Sequence, residues 1–134
     1  MARATGTFEV KIVPQPPEDK VGGSVLGRML IDKQFLGELE ATSRGEMLTA
    51  MTDVEGSAGY VAIERVTGTI KGRRGSFVLQ HSGTMTDKGQ QLSVTIVPDS
   101  GTGQFTGIAG KMTITVIEGK HSYILDYTLP KSSL

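Results

Sequence analysis

Glu64 and His81 are the two side chains of this sequence best suited to do chemistry. A carboxylate within reach of an imidazole can fix the ring tautomer or share a proton with it, the elementary unit of general acid–base work. Both fall in the stretch 58–85, where side chains alternate with the period of two that marks half-buried strands. One face collects Ala62, Glu64, Val66, Gly68 and Ile70, followed by Phe77, Leu79, His81, Gly83 and Met85. The other collects Val61, Ile63, Arg65, Thr67 and Thr69, followed by Ser76, Val78, Gln80, Ser82 and Thr84. Phe77 and Leu79 make the first face the more apolar, so Glu64 and His81 are expected to point inward from a β-hairpin. A four-residue loop over Lys71-Gly72-Arg73-Arg74 predicts Ile70 opposite Gly75, Glu64 opposite His81 and Arg65 opposite Gln80. The plainer reading of Glu64 and His81 is a buried, hydrogen-bonded pair that fixes register.

Other chemistries find little support. The sequence holds only two histidines, His81 and His121, 40 residues apart, so no short-spaced ligand set points to a metal, and no cofactor is expected. Ser82 neighbours His81 but faces the other side of the strand, which leaves no nucleophilic triad. The glycine-rich segments lack the following helix that would aim an N-terminus at phosphate. Gly68-x-Ile70-x-Gly72-x-x-Gly75-x-Phe77 recurs at an offset of 35 as Gly103-x-Phe105-x-Gly107-x-x-Gly110-x-Met112. Glycines at these spacings suit a repeated sharp corner between strands, with Gly72, Gly75, Gly107 and Gly110 in structural roles.

The elements that must position the pair follow from the same alternation. Residues 2–13 form a first strand, stopped by Pro14-Gln-Pro-Pro17. Residues 24–36 fit a strand better than a short helix because Gly27 interrupts the helical pattern, although Val25, Leu26, Met29, Leu30 and Phe35 also suit a helix. Residues 38–52 form a strand with a bulge expected at Thr42-Ser43-Arg44-Gly45. A Lys88-Gly89 loop pairs Asp87 with Gln90 and turns Leu92, Val94 and Ile96 inward. Residues 103–118 and 121–129 make a last hairpin about Gly119-Lys120, with Val116 opposite Tyr123, Ile114 opposite Leu125 and Met112 opposite Tyr127. The tail from Pro130 to Leu134 is expected to fray. Eight antiparallel strands with short connections close most economically as a barrel, which removes exposed sheet edges.

Composition bounds the function further. The 134 residues fit a single domain, 1–134. Fourteen basic residues balance 14 acidic ones, giving no electrostatic footprint for a nucleic acid or a membrane surface as partner. The absence of cysteine fits a reducing compartment, and with no apolar run approaching ~20 residues a cytoplasmic location is expected. A homo-oligomer stays open, with Arg65 and Gln80 as outer-face contact candidates.

Four blocks, Gly59-Tyr-Val-Ala-Ile-Glu-Arg65, Ser76-Phe-Val-Leu-Gln-His-Ser-Gly83, Val97-Pro-Asp-Ser-Gly-Thr-Gly103 and Gly119-Lys-His-Ser-Tyr123, together resemble a bacterial family of uncharacterised proteins with an allene-oxide-cyclase-like fold. The match spans residues 2–130. It implies an eight-stranded antiparallel barrel with an internal cavity. The distant plant cyclases rearrange a fatty-acid epoxide by confining it in such a cavity, but their catalytic residues match no positions here and their activity does not carry over.

The expected protein is therefore an all-β barrel that binds a small hydrophobic molecule, with Glu64, His81, Phe77, Leu79, Tyr123 and Tyr127 as ligand-binding candidates. Two alternatives stand beside it: an isomerase or cyclase that transfers a proton through Glu64 and His81, and a filled barrel without a ligand. Small residues (Ala62, Gly68, Gly83) beside Glu64 and His81 place the expected cavity there, bordered also by Tyr123 or Tyr127.

Overall fold

Alternation carries through almost the whole chain as ten strands, and nearly all of them close on one another. The computed structural model describes residues 1–130; the tail expected to fray lies, from residue 131 on, outside the described residues. The strands are β1 (Ala2–Pro14), β2 (Asp19–Val21), β3 (Ser24–Gly37), β4 (Leu39–Thr52), β5 (Ala58–Ile70), β6 (Arg73–Thr86), β7 (Gly89–Ile96), β8 (Thr102–Gly103), β9 (Ala109–Ile117) and β10 (Lys120–Thr128). Hydrogen bonding runs β1-β10-β9-β7-β6-β5-β4-β3 and closes where β3 pairs back onto β1, giving an eight-stranded antiparallel barrel. The short β2 and β8 lie outside this circuit, against β3 and β6. β1 closes the circuit because it is long enough to serve two neighbours, pairing Ala2–Phe8 with β10 and Gly6–Pro14 with β3. Residues 24–36 are strand, with Gly27 paired to Thr49.

All three predicted hairpin registers are corrected by two residues. In the β5–β6 hairpin Lys71 (φ 50°) and Gly72 (φ 86°) form a two-residue turn, so Ile70 faces Arg73, Glu64 faces Leu79 and Ala62 faces His81. Two successive positive φ values match the right-handed twist of the flanking strands, which a four-residue loop does not require. Arg65 consequently faces Val78 and Gln80 faces Ile63. The β6–β7 turn is Asp87-Lys88 with Thr86 facing Gly89, and its Lys88 N–H donates to Thr86 Oγ1 over 3.2 Å. The β9–β10 turn is Glu118-Gly119, which sets Val116 opposite His121, Ile114 opposite Tyr123 and Met112 opposite Leu125. An even slip preserves the face of every side chain, so the inner set survives these corrections except at its end, where Met85 is exposed.

Two further expectations change. No bulge interrupts Thr42–Gly45: β4 keeps continuous register with both β3 and β5. Beyond Gly103, residues 104–108 are not strand but a run of tight turns, in which Phe105 N–H reaches Thr102 O and Ile108 N–H reaches Phe105 O. These turns fold Phe105 and Ile108 into one end of the barrel, where both are fully buried. The two glycine motifs meet there, Gly75 pairing with Gly103.

The barrel thus has two unlike halves. At the end closed by residues 97–108, Leu39, Val66, Ile70, Phe77, Leu79, Phe105, Ile108 and Leu125 pack into a dry core, with the Phe77 and Phe105 rings edge to face at 5.7 Å. Towards the other end β7 and β9 part company, because Val94–Met112 and Thr95–Lys111 are their only pairs. That split makes a mouth.

Gly45 sits opposite Glu64, and a Cβ there would overlap the Ile63 carbonyl oxygen and lie 2.6 Å from Glu64 Cα. Close approach of backbone, rather than a bulge, is therefore what the glycine supplies. Gly45→Ala is expected to lower stability by about 1–3 kcal/mol in urea unfolding. Gly59→Ala, whose new methyl would meet nothing nearer than 3.6 Å, is expected to stay within about 0.5 kcal/mol of the parent.

Candidate functional site

Four consecutive strands aim polar side chains into the centre of the barrel. Lys33 shares the inner face of β3 with Ile31 and Phe35; Ser43 follows Leu39 and Ala41 on β4; Glu64 and Tyr60 come from β5, and His81 from β6. Lys33 and Ser43 are direct cross-strand partners. The missing side chain at Gly45 lets β4 approach the Ile63 carbonyl and the Cα and Cβ of Glu64 closely.

Glu64 is the hub, with none of its surface exposed. Its Oε1 accepts from Lys33 Nζ at 2.9 Å and from His81 Nε2 at 2.7 Å, and its Oε2 accepts from Ser43 Oγ at 2.6 Å. Burial alone would raise the carboxyl pKa, but the His81 hydrogen bond, the Lys33 charge, the His81 charge and the Ser43 hydroxyl together bring it down to about 2. The group is therefore a carboxylate, which only accepts hydrogen bonds, so the proton between it and the imidazole sits on Nε2. In the neutral form of the ring, Nδ1 is then a bare acceptor. Tyr60 OH lies 3.4 Å from it, and burial followed by the Glu64 charge raises the phenol pKa, so Tyr60 stays a protonated donor. Lys33 Nζ also lies 4.8 Å from the Phe8 ring centroid and 5.8 Å from that of Phe35, cation–π contacts that further offset its desolvation. Among the described residues, no buried side-chain polar atom lacks a partner.

Above the hub, the mouth forms a cavity of about 170 Å³ that is open to the outside. Its walls are Phe8, Val10, Ile12, Ile31, Met47, Leu92, Ile114 and Val116, and its polar groups are Lys33, Tyr60, His81, Gln90 and His121. The His121 ring rests on Phe8 at 5.0 Å between centroids.

The sequence-based candidates separate into two groups. Glu64 and His81 meet, although as diagonal neighbours rather than the directly opposed pair expected. Phe77 and Leu79 lie beneath the hub in the packed half. Tyr123 OH accepts from Leu39 N–H at 2.9 Å and donates towards Leu36 O and Leu39 O at 3.0 and 3.1 Å, clamping the β3–β4 connection. Tyr127 is buried at the far end, beside Ala2, Ile70 and Leu129. Neither tyrosine contributes to the wall of the mouth cavity; Tyr60 does. Lys33 and Ser43 were missed, yet both share strand parity with their apolar neighbours. The strand chosen for 24–36 already turns Lys33 inward with Ile31 and Phe35, and the supposed bulge at 42–45 obscured the same signal at Ser43.

Glu64 makes stability pH-dependent with a definite sign. Its folded pKa of about 2 lies below the ordinary 4.5, so its contribution is present above about pH 4.5 and is lost as pH falls through 2. The depression corresponds to roughly 3 kcal/mol. Carboxyl ¹³C NMR is expected to show Glu64 ionised down to about pH 2, while a midpoint between 4 and 5 would contradict the ion-paired hub. Lys33→Met, which strands the carboxylate, is expected to cost about 3–5 kcal/mol in urea unfolding at neutral pH.

Comparison with known proteins adds lineage. A family model described as a protein of unknown function, DUF3224, matches residues 4–127. A solved structure of a DUF3224-family protein of unknown function from Shewanella oneidensis MR-1 is similar at 52% identity and a TM-score of 0.92, over 98% of this chain and 99% of that one. None of the curated proteins matches the sequence. With a family model spanning nearly every barrel strand and a half-identical relative in the same fold, the chain belongs to the DUF3224 family.

Proposed function

We propose that the barrel binds a small uncharged molecule, apolar in its body and carrying one hydroxyl or carbonyl group, in the mouth cavity above Glu64. The observation that carries this reading is the composition of that cavity: eight apolar side chains around a floor that presents Lys33, Tyr60 and His81. Size sets the first limit. A cavity of about 170 Å³ matches a single ring, since voids of about 150 Å³ in protein cores accept benzene. A longer molecule would leave its remainder in the split between β7 and β9.

Charge sets the second limit. Lys33 and Glu64 cancel at 2.9 Å, so with a neutral imidazole the floor carries no net charge. An anionic ligand would enter an apolar enclosure without an uncommitted cation, at the desolvation cost of a buried charge. A hydroxyl suits the floor better, because it can donate to His81 Nδ1 and accept from Tyr60. The opposite half of the barrel is filled by Phe77, Phe105 and their neighbours and offers a ligand no room.

Three isosteric probes, benzene, phenol and benzoate, test this by ligand-observed NMR titration. Phenol is expected to bind about 3–10-fold more tightly than benzene, the worth of one hydrogen bond, and benzoate more weakly than either. Benzoate binding best, or none of the three binding, would overturn the reading.

A further inference from the structure

We infer that the mouth cavity is a proton-transfer site for small carbonyl compounds, with His81 Nδ1 as the base and Tyr60 and Lys33 as the donors that receive the carbonyl oxygen. This rests on the binding reading above and goes beyond it by naming a reaction. Three features of the floor fit enolisation. First, Glu64 holds Nε2–H at 2.7 Å, which leaves Nδ1 as the basic atom and places a carboxylate where an imidazolium would form. Second, the Tyr60 hydroxyl is committed to Nδ1 only over 3.4 Å, a weak bond that a ligand oxygen can replace, freeing the nitrogen in the same movement. Third, Lys33 gives one N–H to Glu64, lies over the Phe8 ring and lines the cavity, so that N–H donors not used by Glu64 border the space while its charge stays matched by the carboxylate. A buried Glu64–His81 pair serving packing alone has no need of a phenol at the other ring nitrogen or of a lysine on the same cavity wall.

The step balances within the site. Nδ1 takes a proton from the carbon next to the carbonyl. The C–H electron pair becomes a carbon–carbon double bond, and the carbonyl π pair moves to oxygen, where hydrogen bonds from Tyr60 and Lys33 meet the new charge. The imidazolium, paired with Glu64, then returns the proton. Return to the same carbon after the imidazolium N–H has swapped its proton with solvent gives isotope exchange, and return to the far end of a conjugated system moves a double bond. No oxidant, reductant or second substrate is consumed. His81, Tyr60 and Lys33 touch the substrate in this scheme; Glu64 positions the ring.

Cyclohexanone in D₂O is a suitable probe, being one ring with a carbonyl and exchangeable α-protons. Its binding is followed by saturation-transfer NMR and its α-deuteration by loss of the α-proton signal, both on the intact protein. The expected result is saturable binding with deuteration at least about 10²-fold above buffer, the usual scale of general-base assistance. His81→Gln, which can still donate to Glu64, is expected to bind the probe and lose the acceleration. Tyr60→Phe is expected to keep binding and lose about tenfold or more in rate, and it decides the matter if the His81 variant does not fold. Glu64→Gln, if folded, is expected to lower kcat with KM little changed, because it frees the ring to adopt the other tautomer. Binding without acceleration, or acceleration that survives His81→Gln or Tyr60→Phe, overturns the inference and leaves the binding reading in place. No binding at all overturns both.

Discussion

A carboxylate with no exposed surface must be neutralised, and the interior of this barrel is arranged around that requirement. Glu64 draws partners from both strands beside β5, Ser43 from β4 and His81 from β6, and from β3 beyond β4, Lys33. Losing any of them would leave a lone pair or a charge unmatched in a dry environment, so the cluster ties the registers of four strands to one another. It also fixes chemistry. Because the carboxylate accepts at Nε2, the imidazole has no choice of tautomer, and its other nitrogen faces Tyr60 and the cavity.

The two halves of the barrel divide the remaining work. Phe105 and Ile108, folded inward by the turns after Gly101, close one end with aromatic and aliphatic packing. That closed end allows the other to open: β7 and β9 exchange only two pairs before diverging, and the apolar side chains they leave unpacked become cavity wall. Tyr123 belongs to the closed architecture, its hydroxyl committed to the backbone of the β3–β4 connection. Tyr60 belongs to the open one. The two phenols therefore have different roles, set by whether the hydroxyl meets fixed backbone or a titratable ring.

Strand parity explains why so much of this was legible beforehand. A period of two assigns faces without knowing the turns, so Glu64, His81, Phe77, Leu79 and Val94 fall inside although each hairpin register is off by two. What parity cannot supply is the exact opposition across a hairpin, which depends on whether residues such as Lys71 and Glu118 accept positive φ. Nor does it mark a segment such as 104–108, where Phe105 and Gly107 continue the alternation begun at Gly103 while turn hydrogen bonds fold the chain back. Lys33 was overlooked for a different reason: a lysine between Ile31 and Phe35 looks like a solvated interruption until a buried acid is available to pair with it.

The claim on which the site depends most directly is that Glu64 is ionised and dictates the tautomer of His81. Long-range ¹H–¹⁵N correlation of the His81 ring, recorded where the imidazole is neutral, reads that tautomer without any ligand or substitution. The hub described here predicts protonated Nε2 and bare Nδ1. A ring protonated at Nδ1, or one whose two nitrogens average as in a solvent-exposed histidine, would contradict it.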